Sequence, residues 1–275
     1  MATSTISVPH ATREKQSSTF EEIWHRFVQF FEWFGEVAVF CSRVTRAALS
    51  PPWEFREFIR QCDSAGSRSL PLVAMAGAAT GVVMALQMQA SLVRFGARSF
   101  LPAVVVFSIV KETGPVITGL VVSGRVGAGI GAELGSMKVT EQIDAMDASA
   151  VDPFKYLAAT RVAACILMLP LLTLAADFCG VVMGWVAATL TQPVTAQLFF
   201  QSGFKDVTFH DFIPPTLKTA VYGGIIGIVG CFQGMNVKGG TECVGRAATS
   251  AVVLSSLFII LADVVLVRLI LVFFP

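Results

Sequence analysis

Lys111 and Glu112 are adjacent, oppositely charged residues within an apolar run from Phe100 to Ser123 that is long enough to cross a bilayer. A charge at mid-membrane costs about 2.5–3.5 kcal/mol on insertion scales, so such residues are expected to face protein or a water-filled cavity and to serve a function. Pro115 has no N–H, so the carbonyl oxygen of Lys111 loses its helical partner. These residues predict a site that handles a polar group or a proton inside the membrane.

The two charged side chains point about 100° apart on a helix, since each residue advances the helix by that angle. Lys111 and Glu112 therefore need not pair within one subunit, and partners across a dimer are open to them. Asp177 and Asp263 are further acids in apolar segments. Asp263 is expected to pair with Lys218 or Arg268, whereas Asp177 is interpreted as a packing or interface residue.

Catalytic motifs are absent from the sequence, which has no G-x-S-x-G, no H-E-x-x-H and no paired Cys-His arrangement. The segment Gly240–Ala247 has the glycine spacing of a phosphate-binding loop, but Arg246 and Ala247 stand where Lys and Ser or Thr are needed. The six cysteines show no C-x-x-C spacing and favour small buried hydrophobic residues over disulfides or metal ligands. We therefore expect a non-catalytic chain that binds no cofactor or metal, with any ATP and Mg bound by a separate protein.

The composition is typical of a membrane protein. The 275-residue chain is 54% hydrophobic and 14% charged, with a mean hydropathy of +0.70. A net charge of +1 excludes an overall basic footprint for nucleic acid. The pattern predicts an all-α membrane protein with five transmembrane helices, over Leu70–Val93, Phe100–Ser123, Val162–Leu190, Leu217–Phe232 and Ala251–Phe274.

The N-terminal third differs from these spans. Aromatic and apolar residues recur at helical spacing from Phe20 to Cys41, opposite a charged face, which indicates an amphipathic helix in the plane of the membrane interface. A helix packed on soluble protein is the alternative. A second short helix is expected from Trp53 to Arg60. The predicted divisions are a disordered tail over residues 1–19, interfacial amphipathic helices over 20–68 and a transmembrane domain over 69–275.

Basic residues predict the orientation of the chain. With a cytoplasmic N-terminus, most of the 20 Lys and Arg residues fall in inside segments, and only Arg94, Arg98 and Lys205 fall in outside loops. Five spans then place the C-terminus on the outside. Glycines also recur at four-residue spacing, as at Gly77 and Gly81, which allows close helix packing either within the chain or between subunits.

The segment between the second and third spans has the pattern of a short amphipathic helix in the cytoplasm. Its apolar residues include Ile143 and Met146. A solvated loop helix would look similar. The residues expected to couple the chain to an ATPase partner are Met137, Lys138, Glu141, Gln142 and Asp144.

The run from Gly124 to Met146 (GRVGAGIGAELGSMKVTEQIDAM), followed by Val151-Asp152-Pro153, closely resembles the signature of the MlaE/YrbE permeases. These are the membrane subunits of ABC transporters that move lipids together with MCE proteins. The resemblance covers about residues 50–275 and includes Lys111–Pro115 and Leu169–Thr173.

This resemblance implies a homodimer, or a heterodimer of close relatives, in the bacterial inner membrane. Two copies of an ABC ATPase subunit dock beneath the dimer, a periplasmic MCE-domain hexamer lies above it, and a STAS-domain protein accompanies many such systems. The coupling helix corresponds to Gly135–Met146 here. By the same resemblance, the phospholipid cavity lies between subunits, and its matching positions are Met84, Ser91, Leu92, Phe95, Lys111 and Glu112.

The expected function is therefore that of a permease subunit that exchanges phospholipid between the inner membrane and an MCE protein, driven by a separate ATPase. A proton-coupled secondary transporter that uses Glu112 is the alternative from another class. A membrane scaffold without transport activity is the third. Two positions depart from the family pattern: Ser91 is polar where an aliphatic side chain is common, and Lys111 stands where some relatives have Arg. Lys lacks the planar fork of Arg, which bears on headgroup preference.

Overall fold

The chain is built from α-helices, and no β-strand occurs in residues 11–51, 54–191, 194–205 and 207–273, which are those described by this computed structural model. Side chains are described from residue 31 onward, except those of Thr191 and His210. The helices are α1 (Ala11–Leu49), α2 (Phe55–Cys62), α3 (Leu70–Arg94), α4 (Leu101–Ser108), α5 (Gly114–Val122), α6 (Ala128–Val139), α7 (Gln142–Ala148), α8 (Thr160–Thr191), α9 (Ala196–Phe204), α10 (Phe209–Met235) and α11 (Thr241–Phe273).

Within the described residues, five helical stretches are long and apolar enough to cross a membrane. This finding confirms the prediction of an all-α membrane protein with five spans. Numbered in chain order, spans 1 to 5 are Phe55–Arg94, Arg98–Val139, Phe154–Leu190, Asp211–Met235 and Thr241–Phe273.

The spans are longer than the apolar runs that predicted them, because helices continue into the polar regions on either side of a membrane. Span 1 shows this most clearly. Its α2 continues through Asp63–Ser67 and leads into α3, so the helix expected to end at Arg60 is part of the first span. The expected start of that helix, Trp53, lies outside the described residues.

The N-terminal residues form a separate unit, residues 1–43, and the five spans belong to the second unit, residues 44–275. In the first unit, α1 begins at Ala11, inside the segment expected to be a disordered tail. Arg, Glu, Lys and Gln at positions 13–16 are good helix formers, which accounts for the early start. The remainder of the expected tail, residues 1–10, lies outside the described residues.

In the part of the chain that the structure describes, four short π-helical segments occur in the spans: Asp63–Ser67, Ile109–Thr113, Ser123–Gly127 and Phe154–Ala159. The second contains Lys111 and Glu112 and ends just before Gly114-Pro115. A proline ring crowds the carbonyl group four residues earlier, and a wider turn relieves that contact. Pro115 therefore widens the helix of span 2 without breaking it, and two adjacent charges lie on the wide turn.

Glycines allow three of the spans to pack closely within this chain. A side chain at Gly77 or Gly81 of α3 would collide with the main chain of α8 at Ala176 or Gly180. Gly223 of α10 meets the main chain of α8 in the same way. These contacts are intramolecular, which settles for these glycines the choice between internal packing and a subunit contact. Close approach is needed because lipid supplies no hydrophobic driving force between helices.

Five spans predict that Lys205, between spans 3 and 4, and Lys238, between spans 4 and 5, lie on opposite sides of the membrane. In a protein without native cysteines, Lys205→Cys is expected to react with a membrane-impermeant reagent from one side of the membrane, and Lys238→Cys from the other side. Ser50→Cys is the matched control, since this exposed residue before span 1 should report the same side as Lys238. If Lys205→Cys and Lys238→Cys are labelled from the same side, span 4 does not cross the membrane between them.

Candidate functional site

The ammonium group of Lys111 pairs with a carboxylate on span 4. Its Nζ lies 2.9 Å from Oδ1 of Asp211, and both side chains are about three-quarters buried. The same nitrogen lies 4.3 Å from the ring centroid of Phe107, one turn earlier in span 2, in a cation–π contact. Lys111 is thus held between its own helix and the start of α10.

Asp211 also caps α10. Its Oδ2 accepts hydrogen bonds from the main-chain N–H and the hydroxyl group of Thr208, at 3.2 and 2.6 Å, while Oδ1 receives Lys111. Thr208 and Asp211 form a capping box, in which side chain and main chain satisfy each other at the first turn. One carboxylate therefore joins span 2 to the beginning of span 4.

Glu112 pairs with a different residue of α10. Its Oε2 accepts a hydrogen bond from Nζ of Lys218 at 2.9 Å, and the same nitrogen donates to Oδ1 of Asp263 on span 5, also at 2.9 Å. Tyr222, one turn beyond Lys218, donates its hydroxyl hydrogen to Oδ1 of Asp263. The side chain of Lys218 is only 1% exposed, whereas that of Glu112 is 46% exposed. Glu112 therefore presents a carboxylate at the surface of this chain while remaining attached to a buried cation.

The charged cluster consists of Lys111, Glu112, Asp211, Lys218 and Asp263, and it joins spans 2, 4 and 5. Within this chain, Lys111 pairs with Asp211 and Glu112 pairs with Lys218. Additional partners across a dimer stay a prediction. Asp263 pairs with Lys218, the first of its two expected partners. Chemically, the cluster can exchange an internal ion pair for a pair with a bound phosphate or ammonium group, since both Lys111 and Glu112 are partly exposed.

The sequence interpretation missed Asp211, a member of this cluster, and Tyr222, which donates a hydrogen bond to Asp263. Asp211 stands before the apolar run that predicted span 4, so it drew no attention as an intramembrane charge. The spacing Thr208-x-x-Asp211 ahead of an apolar segment is a helix-start signal that could have located it. No comparable signal marks Tyr222, whose role depends on the approach of span 5.

The other residues expected to line a lipid cavity lie at the far end of span 1. Met84 and Leu92 are half-buried on α3, Ser91 is exposed, and Phe95, just after the helix, is 84% exposed. Leu92 lines a cavity of about 270 Å³ together with Leu101 and Phe199. Lys111 and Glu112 do not line that cavity, so the described chain does not bring all six residues together, and their shared role stays a prediction.

The expected coupling segment is divided by a turn. Met137 and Lys138 belong to the end of α6, and α7 begins at Gln142 after Glu141 adopts a left-handed conformation with φ of 57°. Lys138 and Asp144 pair across this turn at 2.7 Å. Glu141 and Gln142 are exposed, as is Asp144, while Ile143 is buried and holds α7 against the protein. The segment therefore exposes polar side chains on a helix that Ile143 anchors to the rest of the protein.

Asp177 does not belong to the charged cluster. The residue is 3% exposed, and neither carboxyl oxygen has a hydrogen-bond partner among the described residues. A side chain at position 114 would collide with Asp177, so the carboxyl group occupies the space left by Gly114. Asp177 thus packs directly behind the π-helical turn that carries Lys111 and Glu112.

Known proteins are similar in sequence to this chain along most of its length. A family model described as Permease MlaE matches residues 58–269. The chain belongs to the MlaE permease family. A probable ABC transporter permease protein of Rickettsia felis is 38% identical over 244 residues, which cover 89% of this chain and 94% of that protein. Another, from Synechocystis sp., is 34% identical over 208 residues, covering 76% and 79%.

A plant relative extends the comparison. The chloroplastic protein TRIGALACTOSYLDIACYLGLYCEROL 1 of Arabidopsis thaliana is 31% identical over 235 residues, which cover 85% of this chain and 67% of that protein. These findings confirm the resemblance on which the sequence interpretation relied. The chain is a multi-pass membrane protein and a permease subunit of the ABC transporter type.

In this MlaE permease, Lys218→Met is expected to destabilise the fold by about 3–5 kcal/mol, because it leaves the carboxylate of Asp263 without its cation in a largely buried position. Glu112→Gln is the matched comparison. It should cost less than about 1 kcal/mol, because Lys218 keeps Asp263 and the lost pair is partly exposed. Thermal unfolding of the detergent-solubilised protein measures both. Equal losses would show that Lys218 does not hold the cluster together.

Proposed function

We propose that this chain is the membrane subunit of an ATP-driven transporter that exchanges phospholipid between the bacterial inner membrane and a periplasmic MCE protein. The observation that carries the proposal is the charged cluster at the wide turn of span 2, where Lys111 and Glu112 are partly exposed within an apolar bundle. A molecule with long apolar chains and a charged head matches both parts of that surface. The name of the Arabidopsis relative, which contains that of a diacylglycerol lipid, supports a lipid substrate.

In the proposed mechanism, the lipid headgroup replaces internal partners of the cluster. A headgroup phosphate competes with Asp211 for Lys111, and a headgroup ammonium competes with Lys218 for Glu112. Lys218 keeps Asp263 during this exchange, so the buried cation is never left unpaired. The acyl chains would follow the apolar surface near Met84, Ser91, Leu92 and Phe95.

The proposed assembly is a homodimer of this chain with two ABC ATPase subunits and an MCE hexamer, accompanied by a STAS-domain protein in some systems. ATP and Mg would be bound by the ATPase. The segment from Met137 to Asp144 would contact it from the cytoplasm, with the N-terminus on that same side and the C-terminus in the periplasm. Relatives that are ABC transporter permeases support the ATPase partner.

A proton-coupled secondary transporter that uses Glu112 is not favoured. The relatives carry the name of ABC transporter permeases. In addition, the carboxylate of Glu112 is engaged in an ion pair with the buried Lys218. The family also gives no support to a scaffold without transport activity.

Lys111→Ala and Glu112→Ala are expected to preserve expression and dimerisation while lowering lipid transfer to the MCE partner and lipid photocrosslinking. The reason is that both side chains are partly exposed and would hold the headgroup, whereas the fold keeps Lys218 and Asp263. Arg246→Ala is the control, since it removes an exposed charge at the start of span 5 that does not belong to the charged cluster. If both variants abolish the folded dimer, the charges are structural and the assignment fails.

Glu141→Lys is expected to weaken ATPase binding while membrane insertion remains normal. The substitution inverts an exposed charge at the turn between α6 and α7, and losing a desolvated charge pair at an interface costs about 2–5 kcal/mol. Co-purification of the ATPase provides the measurement. Glu242→Lys makes the same charge change at the start of α11 and should leave binding intact. Unchanged co-purification with Glu141→Lys would place the contact elsewhere.

A further inference from the structure

A polar pocket of about 190 Å³ lies where spans 1, 2 and 3 meet, apart from the charged cluster. We call it the π-junction pocket, because two of the π-helical segments line it and a third ends two residues before the lining residue Arg161. Ser64 belongs to Asp63–Ser67, Arg125 belongs to Ser123–Gly127, and Arg161 follows Phe154–Ala159 by two residues. The polar and glycine residues that define the pocket are Gln61, Ser64, Arg125, Gly129, Glu133 and Arg161. Wide π-helical turns occur frequently at functional sites.

The pocket lies at the edge of the apolar layer. Ser64 comes shortly before the apolar run that begins at Leu70, Arg125 directly follows the run that ends at Ser123, and Arg161 directly precedes Val162. Residues at these positions are level with the headgroups of one membrane leaflet. In the proposed orientation, this is the cytoplasmic leaflet.

The pocket contains more positive than negative charge. Arg161 is 2% exposed in its side chain and uses one nitrogen on Oε1 of Glu133 at 2.9 Å and another on the carbonyl oxygen of Leu157, also at 2.9 Å. Its Nε has no hydrogen-bond partner among the described residues. A buried donor without an acceptor is costly, so this guanidinium group is incompletely satisfied by the chain alone.

Arg125 supplies the second guanidinium group. Its Nη1 donates to the hydroxyl oxygen of Ser69 at 2.6 Å and to the carbonyl oxygen of Ser64 at 3.2 Å, both of which are uncharged acceptors. Glu133 is the acid that lines the pocket, and it is already paired with Arg161. One positive charge therefore lacks a counter-ion within the pocket, which favours an anionic ligand.

We infer that the π-junction pocket binds the phosphate group of a phospholipid headgroup from the adjacent leaflet. Guanidinium groups match phosphate oxygens in charge and geometry, and basic pockets between membrane helices on the cytoplasmic side are known to hold anionic headgroups. The volume equals that of roughly six water molecules, which suits a headgroup and leaves the acyl chains in the surrounding membrane. The inference depends on the proposed function only for the identity of the leaflet.

Gly129 gives access to this pocket and offers a way to block it. The residue is exposed, and no atom lies within 4 Å of the position that a Cβ atom would occupy. Gly129→Leu is therefore expected to fill the pocket entrance without removing a hydrogen bond. Gly124→Leu is the matched control, because Gly124 is equally exposed and open but does not line the pocket.

The test measures lipid binding to the purified full-length chain, in a Lys111→Ala background that suppresses binding at the charged cluster. Dioleoyl phosphatidylglycerol should be retained in native mass spectrometry and should raise the thermal midpoint, whereas dioleoylglycerol, which lacks the phosphate, should do neither. Arg125→Ala should weaken phosphatidylglycerol binding roughly tenfold, the factor for one lost charge-assisted hydrogen bond. Gly129→Leu, which blocks the entrance, should weaken it at least as much. Gly124→Leu and Arg68→Ala, which removes an exposed arginine at the same end of span 1, should leave binding unchanged.

Inorganic phosphate distinguishes the two sources of this chemistry. If it raises the thermal midpoint as phosphatidylglycerol does, and Gly129→Leu abolishes that effect, the pocket takes free phosphate and the lipid assignment is overturned. Equal retention of the two lipids, or full binding by Gly129→Leu, would overturn the pocket as a phosphate site. Measurements on Lys111→Ala alone and on Lys111→Ala with Gly129→Leu keep the test decisive if Arg125→Ala fails to fold. Neither result depends on transfer to an MCE partner, so the proposed function stands or fails separately.

Discussion

Lys218 is an almost completely buried ammonium group inside a membrane span, and such a charge persists only with close counter-ions. Its two carboxylate partners, Glu112 and Asp263, come from spans 2 and 5, so three helices must keep their register for the cation to remain satisfied. Sharing one cation between two acids has a further effect. The more exposed acid, Glu112, can change partners while the buried pair remains intact.

Close helix packing places α10 where it can make these pairs. Gly223 brings α10 against the main chain of α8, and Gly77 and Gly81 bring α3 against the same helix from another direction. Asp211 and Lys218 are seven residues apart on α10, which puts them on one face, two turns from each other. The wide turn in span 2 presents Lys111 and Glu112 to these two positions. The small residues at the helix contacts and the charges at the wide turn therefore stabilise the same arrangement of helices.

The sequence predicts the spans and the central charges well, because each leaves a strong local signal. Lys111 and Glu112 interrupt an apolar run, and that contrast needs no structure to be noticed. Their partners are harder to predict, since the pairing of Lys111 with Asp211 joins residues a hundred positions apart. The sequence does not predict the turn at Glu141 either, because glutamate rarely adopts positive φ and the amphipathic helical pattern continues through this residue. Each π-helical segment covers only five or six residues, about one turn, which is too short for a change in hydrophobic period to be recognised in the sequence.

Asp211 uses one oxygen to cap α10 and the other to hold Lys111, so the two interactions are thermodynamically linked. A ligand that separates Lys111 from Asp211 alters the electrostatics of the first turn of α10. By reciprocity, unwinding of that turn weakens the ion pair between Lys111 and Asp211. Amide hydrogens near Thr208 should therefore exchange with solvent at a rate that depends on the occupancy of a site in another span. The exchange rate at the first turn of α10 would then depend on whether a ligand occupies the charged cluster.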